Sequence, residues 1–455
     1  MSARILLWVV LVVSYIAHST LSISACQVAQ TDQATQEIAN KLSSYMESAK
    51  AGGFSGVVFV ADSENKIASI AVGKSGDADK TPLDESTLFE IASATKPFTA
   101  LAIMKLKEAG KVNLDDSINE HLPGVPDHSN GITLRHLLMH TSGIPGANYG
   151  RPAGEMKDIV ASMLGAGPAN KPGANYEYWN QGYALLSEVV ARASGKSYMQ
   201  FCKDEIFKPA GMKSTCFTGD EQPADVNVAT SFDSTLGPSR SALEHPYRVY
   251  GMNYRGMGGI VTNAVDLWEF HRALNDGKLV SQQSLDEMWA TNSFGYGLGW
   301  QLKPGPNDFE SVGHGGGVRG FSTNMRLYPK KKLCLFVLAN SNEPVNFEVF
   351  SRTEEILRGQ EPLVPLPPDK EKLSRYVGTY RSGGRVLTLL AFHSRSEFMP
   401  ASIDWGGAVT RGLLCNNADG DVCFFDGQTM EKIVFELDDE GLPKSCQIGD
   451  AKFEK

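Results

Sequence analysis

The sequence predicts an α+β fold: an antiparallel sheet flanked by helices, a helical subdomain in the middle of the chain, and a small all-β domain at the C-terminus. Three observations point there. A hairpin pattern near residue 60 and strand patterns between residues 296 and 339 bracket a block of helical periodicity, so one sheet is assembled from both ends of a domain. Pro365-Leu366-Pro367-Pro368, within residues 362–369, then interrupts the chain as a linker. Beyond it, residues 370–455 read as short strands separated by Gly and Asn-Asn turns. The expected division is a targeting segment over 1–25, a main domain over 26–361, the linker, and the β domain.

Taken in order, Gln33 to Lys50 has helical spacing, with Ile38, Leu42, Tyr45 and Met46 on one face. Gly56 to Ala61 and Ile67 to Val72 are apolar, β-rich runs around the turn Asp62-Ser63-Glu64-Asn65, a hairpin signature. Pro97 to Ala109 is a strongly apolar helix ended by Gly110, and Thr133 to Met139 a shorter one. Tyr183 to Ala193 is a helix stopped at Ser194-Gly195, and Asp266 to Leu274 another. Strands are expected over Tyr296 to Leu302, Gly320 to Leu327 and Leu333 to Ala339, followed by a helix from Glu348 to Leu357.

Composition narrows the function classes. With 455 residues, 42% hydrophobic and 21% charged, the chain is an ordinary globular protein rather than a disordered or fibrous one. Its formal net charge is -9 and no basic block offsets it, which argues against nucleic acid as a partner. Residues 1–25 carry a positive start at Arg4, an apolar run from Ile5 to Ala17, and small residues before Cys26, the pattern of an export signal. That run is too short for a comfortable membrane span. Ile23-Ser24-Ala25-Cys26 resembles the lipobox of bacterial lipoproteins, which would tether the mature chain to a membrane through a lipidated Cys26; plain secretion is the alternative. The expected location is therefore periplasmic or secreted. The six remaining cysteines are even in number, and an oxidising compartment permits pairing, Cys202 with Cys216 and two of Cys415, Cys423 and Cys446.

Ser-x-x-Lys occurs twice. Ser63-Glu64-Asn65-Lys66 lies in the hairpin turn, where nothing fixes the lysine against the serine. Ser93-Ala94-Thr95-Lys96 precedes the apolar helix, so Lys96 projects one turn from Ser93 and within its reach. A desolvated lysine has a lowered pKa and serves as a base at neutral pH, which a serine hydroxyl needs in order to attack. A serine cap followed by a solvated lysine would produce the same tetrapeptide.

Two further segments decide between these readings. Tyr178-Trp179-Asn180 follows a Pro-Gly loop, and His314-Gly315-Gly316-Gly317 is read as preceding a strand. In order and spacing, Ser93-x-x-Lys96, Tyr178-x-Asn180 and His314-x-Gly316 resemble the three motifs of the serine β-lactamase and penicillin-binding protein superfamily, most of all the class C branch with its esterase and D-aminopeptidase relatives. Leu137 to Gly143, Phe207 to Met212 and Tyr296 to Trp300 resemble that family's scaffold. Tyr376-Val377-Gly378-Thr379-Tyr380 resembles the start of the β domain appended to many of its members.

The resemblance implies a β-lactamase/transpeptidase-like fold and a cofactor-free, metal-free mechanism. Ser93 would be acylated, with Lys96 and Tyr178 sharing the proton transfers. The backbone N–H groups of Ser93 and Gly317 would form the oxyanion hole. Asn180 would hold Lys96 and a substrate amide, and His314 and Gly316 would line the binding site. Where β-lactamases carry Lys-Thr-Gly, this chain has His314-Gly315-Gly316, which removes a fixed positive charge and resembles the esterase and D-aminopeptidase members. The expected activity is hydrolysis of a small-molecule ester, or of an amide or D-peptide, through an acyl-enzyme. The alternatives are a β-lactamase or D,D-carboxypeptidase, and a non-catalytic protein that binds cell-wall fragments.

Other patterns are set aside. His136 and His140 stand four apart as zinc ligands can, but Leu137 replaces the glutamate of the zinc-protease motif. Gly315-x-Gly317-x-x-Gly320 matches a dinucleotide fingerprint by chance, because a strand follows it instead of a helix.

Overall fold

The computed structural model describes residues 33–455 apart from 77–80, 148–152, 233–237, 248–250, 253, 343–344, 391–398 and 427–428. The expected targeting segment and Cys26 lie outside the described residues. Among those described, no helix is long and apolar enough to cross a membrane.

A six-stranded antiparallel sheet is built from both ends of the main domain. Strands β1 (Gly56–Ala61) and β2 (Lys66–Val72) form the predicted hairpin. The remaining strands are β3 (Gln301–Lys303), β4 (Ser311–Val318), β5 (Phe321–Tyr328) and β6 (Leu333–Ala339), in the order β2-β1-β6-β5-β4-β3. Period-two alternation gives the central strands two buried faces. Val58, Val60, Leu335 and Val337 pack with the helices α1 (residues 33–51) and α4 (Val345–Leu357). Val57, Phe59, Phe336 and Leu338 pack on the opposite side, in the large core that contains α2 (Lys96–Glu108) and α3 (Asn180–Ser194). The helix α2 is buried nearly all round, as expected of a central helix.

Two strand expectations are corrected. Of residues 296–302 only Gln301 and Leu302 fall in a sheet strand, because Gly299 takes φ 84° and passes over α2 so closely that a Cβ there would lie 2.5 Å from Ala100 Cβ. His314-Gly315-Gly316-Gly317 does not precede a strand but forms the body of β4. Glycine is needed at 316 because the Ile91 carbonyl presses against the strand there.

The described residues between 378 and 454 form a closed, eight-stranded antiparallel barrel, in which Arg381 pairs with Glu454 to complete the ring. Closure removes the open edges that a small sheet would otherwise present. Tyr380, Leu387, Ile403, Phe424 and Phe453 fill one core. Leu413, Cys415, Cys423 and Phe425 alternate to the other side of the wall, where the Arg352 guanidinium of α4 lies 5.8 Å from the centre of the Phe425 ring. Leu366 exchanges both backbone hydrogen bonds with Asn416, and Ser48 of α1 donates to the carbonyl of Pro365. The barrel therefore docks against the α1/α4 layer, on the side of the sheet away from Ser93.

All six described cysteines are unpaired thiols, against the disulfides anticipated from an even count. Burial pushes the thiols of Cys202 and Cys216 up to about 12, the behaviour of small core hydrophobes. Cys415 and Cys423 sit opposite each other on neighbouring strands, yet each thiol leans on a backbone carbonyl. Cys446 belongs to the other core, across the barrel wall from both.

Candidate active site

The two Ser-x-x-Lys tetrapeptides have opposite fates. In the hairpin turn, Asp62 Oδ1 accepts from the N–H groups of Glu64 and Asn65, and Lys66, the first residue of β2, pairs with Glu85 at 2.9 Å, so Ser63 is a turn residue and its lysine is engaged elsewhere. Ser93 lies in a 3-10 turn, Ala92–Thr95, that feeds directly into α2. Its neighbour Ala92 is held at φ 46°, a left-handed conformation uncommon for alanine and of the kind found beside reactive groups. Ser93 is not the cap of α2; that position is Thr95.

Lys96 is fully buried, and its Nζ lies 2.9 Å from Ser93 Oγ, 2.9 Å from Asn180 Oδ1 and 3.3 Å from the carbonyl of Met257. Burial drives its pKa well below the ordinary lysine value, and no carboxylate among the described residues opposes it. Nζ also lies 4.8 Å from the centre of the Tyr178 ring. Burial raises the pKa of Tyr178, with its hydrogen bond to Ser93 working against the rise, so the phenol keeps its proton.

Asn180 is the first residue of α3, which starts three residues before the predicted Tyr183. The reason is His140, which the sequence reading assigned to the scaffold. Its Nδ1 accepts from the Trp179 N–H at 3.1 Å and its carbonyl from the Glu177 N–H at 2.8 Å, so it holds the backbone on both sides of Tyr178. Its ring packs 4.3 Å from that of Tyr178. His140 does this at φ 55°, a conformation that no spacing rule reveals. His136 faces the cap of its own helix, where Nδ1 accepts from the Thr133 N–H.

His314 is buried beneath this cluster. Its Nδ1 hydrogen bonds the Gly315 carbonyl, which can only accept, so Nδ1 carries the proton and Nε2 accepts from the Tyr296 hydroxyl at 2.9 Å. Burial, the leading cause, pushes its pKa down to about 3. The sequence left this histidine partly charged; the structure makes it neutral, with both ring nitrogens occupied.

Gly316 and Gly317 differ sharply. A Cβ on Gly316 would sit 2.0 Å from the Ile91 carbonyl, whereas one on Gly317 would meet nothing. Gly316 is therefore a packing contact between β4 and the serine turn. Gly315 donates toward Gln301 of β3, and by strand periodicity the N–H of Gly317 points the same way, beyond the end of that strand and away from β5. Gly316→Ala is expected to cost roughly 1–3 kcal/mol by overpacking, and Gly317→Ala less than about 0.5 kcal/mol. Urea midpoints of the two variants check this.

The comparisons agree with the geometry. The β-lactamase family profile matches residues 38–358. The chain belongs to the β-lactamase family. A penicillin-binding protein of Bacillus subtilis (strain 168) is 33% identical over 359 residues, covering 72% of this chain and 79% of its own. Among solved structures, the octameric penicillin-binding protein homologue from Pyrococcus abyssi superposes with a TM-score of 0.65 at 23% identity, over 91% of this chain and 99% of that one. A D-amino acid amidase from Ochrobactrum anthropi SV3 does so at 0.59 and 24%, over 72% and 99%. As a β-lactamase-family member this chain is a serine hydrolase by fold, with an antiparallel sheet, flanking helices and an appended barrel.

Proposed function

We propose that the protein hydrolyses a neutral ester, or an amide including that of a D-amino acid, through an acyl-enzyme on Ser93. The neutral Lys96 amine has two hydrogens and one lone pair. Asn180 Oδ1 and the Met257 carbonyl take the hydrogens, which leaves the lone pair for the Ser93 O–H. Lys96 is thereby the base that removes the serine proton as Ser93 Oγ attacks the carbonyl carbon. The N–H groups of Ser93 and Gly317 receive the developing oxyanion. Tyr178, kept protonated, gives its proton to the leaving oxygen or nitrogen and is refilled from the lysine ammonium. Water then attacks the acyl group by the same steps in reverse order. Asn180 Nδ2 makes no hydrogen bond among the described residues and is the donor free for a substrate amide.

The observation that carries the choice of substrate is His314. A neutral imidazole with both nitrogens engaged offers no charge to a carboxylate where the lysine of a β-lactamase would. The amidase neighbour supports an amide as the alternative to an ester. The test is the initial rate on p-nitrophenyl butyrate and on a chromogenic cephalosporin. Ester turnover exceeding cephalosporin turnover by about 10²-fold or more is expected, on the scale by which sites built for a polar partner reject substrates without it. Dominant cephalosporin turnover would reverse the ranking. The reading further includes export, with Cys26 the proposed lipid anchor; loss of palmitate labelling in Cys26→Ala would support the anchor, and its absence from the wild type would leave plain secretion.

A further inference from the structure

Behind the serine turn lies an ion pair that the reaction does not use. Glu90 and Arg240 form a salt bridge in which both side chains are wholly shielded from solvent, and the Tyr254 hydroxyl donates to the other oxygen of Glu90. Burying two charges carries a desolvation cost that their mutual attraction repays only with good geometry and further hydrogen bonds, and on stability alone an apolar cluster of the same volume does as well or better. The placement of the three residues gives the network another purpose.

Each partner holds a different segment of the site. Glu90 stands two residues before the strained Ala92, on the strand whose next carbonyl, that of Ile91, receives Gly316 in close contact. Arg240 donates through Nε to the carbonyl of Arg319 at 2.9 Å, just past β4 and two residues beyond Gly317, and its guanidinium covers the Phe321 ring at 4.8 Å. The Tyr254 ring lies so close under Gly258 that a Cβ there would be 2.4 Å away, and the residue before Gly258 is Met257, whose carbonyl holds Lys96. Three backbone segments that approach the site separately therefore meet on one buried carboxylate.

We propose that Glu90, Arg240 and Tyr254 form a positioning clamp that sets the distance between the two oxyanion donors and fixes the Met257 carbonyl on Lys96. The clamp rests on the reading of Ser93 as nucleophile. Its effect falls on the rate of the chemical step and not on capture of the reagent, because none of the three residues faces the reacting atoms.

The experiment uses the full chain and a fluorophosphonate, in which Ser93 Oγ bonds to phosphorus, fluoride leaves, and the serine proton passes to Lys96. Labelling is followed by intact mass across probe concentrations. Glu90→Gln and Arg240→Met are each expected to lower the maximal labelling rate by about 10–100-fold, at unchanged half-saturating concentration and with a lowered urea midpoint. Glu90→Gln/Arg240→Met buries no unpaired charge, so its midpoint returns toward that of the wild type. Its rate stays low because the Arg319 carbonyl still lacks its donor. Recovery of the rate together with the midpoint, or single variants that label at the wild-type rate, would overturn the clamp and leave a structural ion pair. A wild type that resists labelling would remove the serine reading, and the clamp with it.

Discussion

Ser93→Ala is expected to lower ester turnover by about 10⁴-fold or more while leaving the fold and its urea midpoint nearly unchanged. The size follows from the arrangement around Oγ. Lys96 Nζ, held by Asn180 Oδ1 and the Met257 carbonyl, lies 2.9 Å from that oxygen, and residues acting as one unit lose their effect together when the atom they serve is removed. Stability should change little because Ser93 caps no helix. Loss of activity from Ser63→Ala instead would place the chemistry in the hairpin turn, where Lys66 is already committed to Glu85.

The second large effect is that of Lys96→Met, with rate and stability moving in opposite directions. Removal of the base should cost roughly 10³–10⁴-fold in kcat on the ester. Stability should rise at neutral pH, and the sign follows from linkage. Burial lowers the pKa of Lys96 in the folded chain well below 10.5, whereas the unfolded chain keeps a proton there up to that value. Between those two values the unfolded state carries more protons, so wild-type stability climbs as pH rises through that window. Methionine abolishes this contribution. Its advantage in urea midpoint should be largest at the acid end of that window and shrink as pH rises toward 10.5. Equal slopes for variant and wild type would mean that Lys96 is charged when folded. The same protonation predicts that acylation slows on the acid side, as Lys96 takes a proton and loses the lone pair facing Ser93.

Much of this site was legible in the sequence because its parts are local. Ser93 and Lys96 are one turn apart, Tyr178 and Asn180 are two residues apart, and the elements that carry them have clear periodicity or punctuation. The barrel was legible as a β domain because its strands alternate and its turns hold glycine. What was hidden depended on long-range contact or on backbone angle. His140 supports Tyr178 only because it adopts a left-handed conformation, and Met257 enters the site through a carbonyl, which no residue type announces. The charge state of His314 followed from burial and from Tyr296, eighteen residues away in the chain. Gly316 and Gly317 are identical in sequence, and only the approach of the Ile91 carbonyl separates a packing glycine from an open one.

The most direct test of the account is to trap the acyl-enzyme. The protein is mixed with p-nitrophenyl butyrate, quenched in acid during the first turnovers, digested and mapped by mass spectrometry. One butyryl group is expected, on the peptide that carries Ser93, absent in Ser93→Ala and accumulating more slowly in Lys96→Met. A butyryl group on any other residue, or turnover at the wild-type rate by a protein unable to acylate at Ser93, would contradict it.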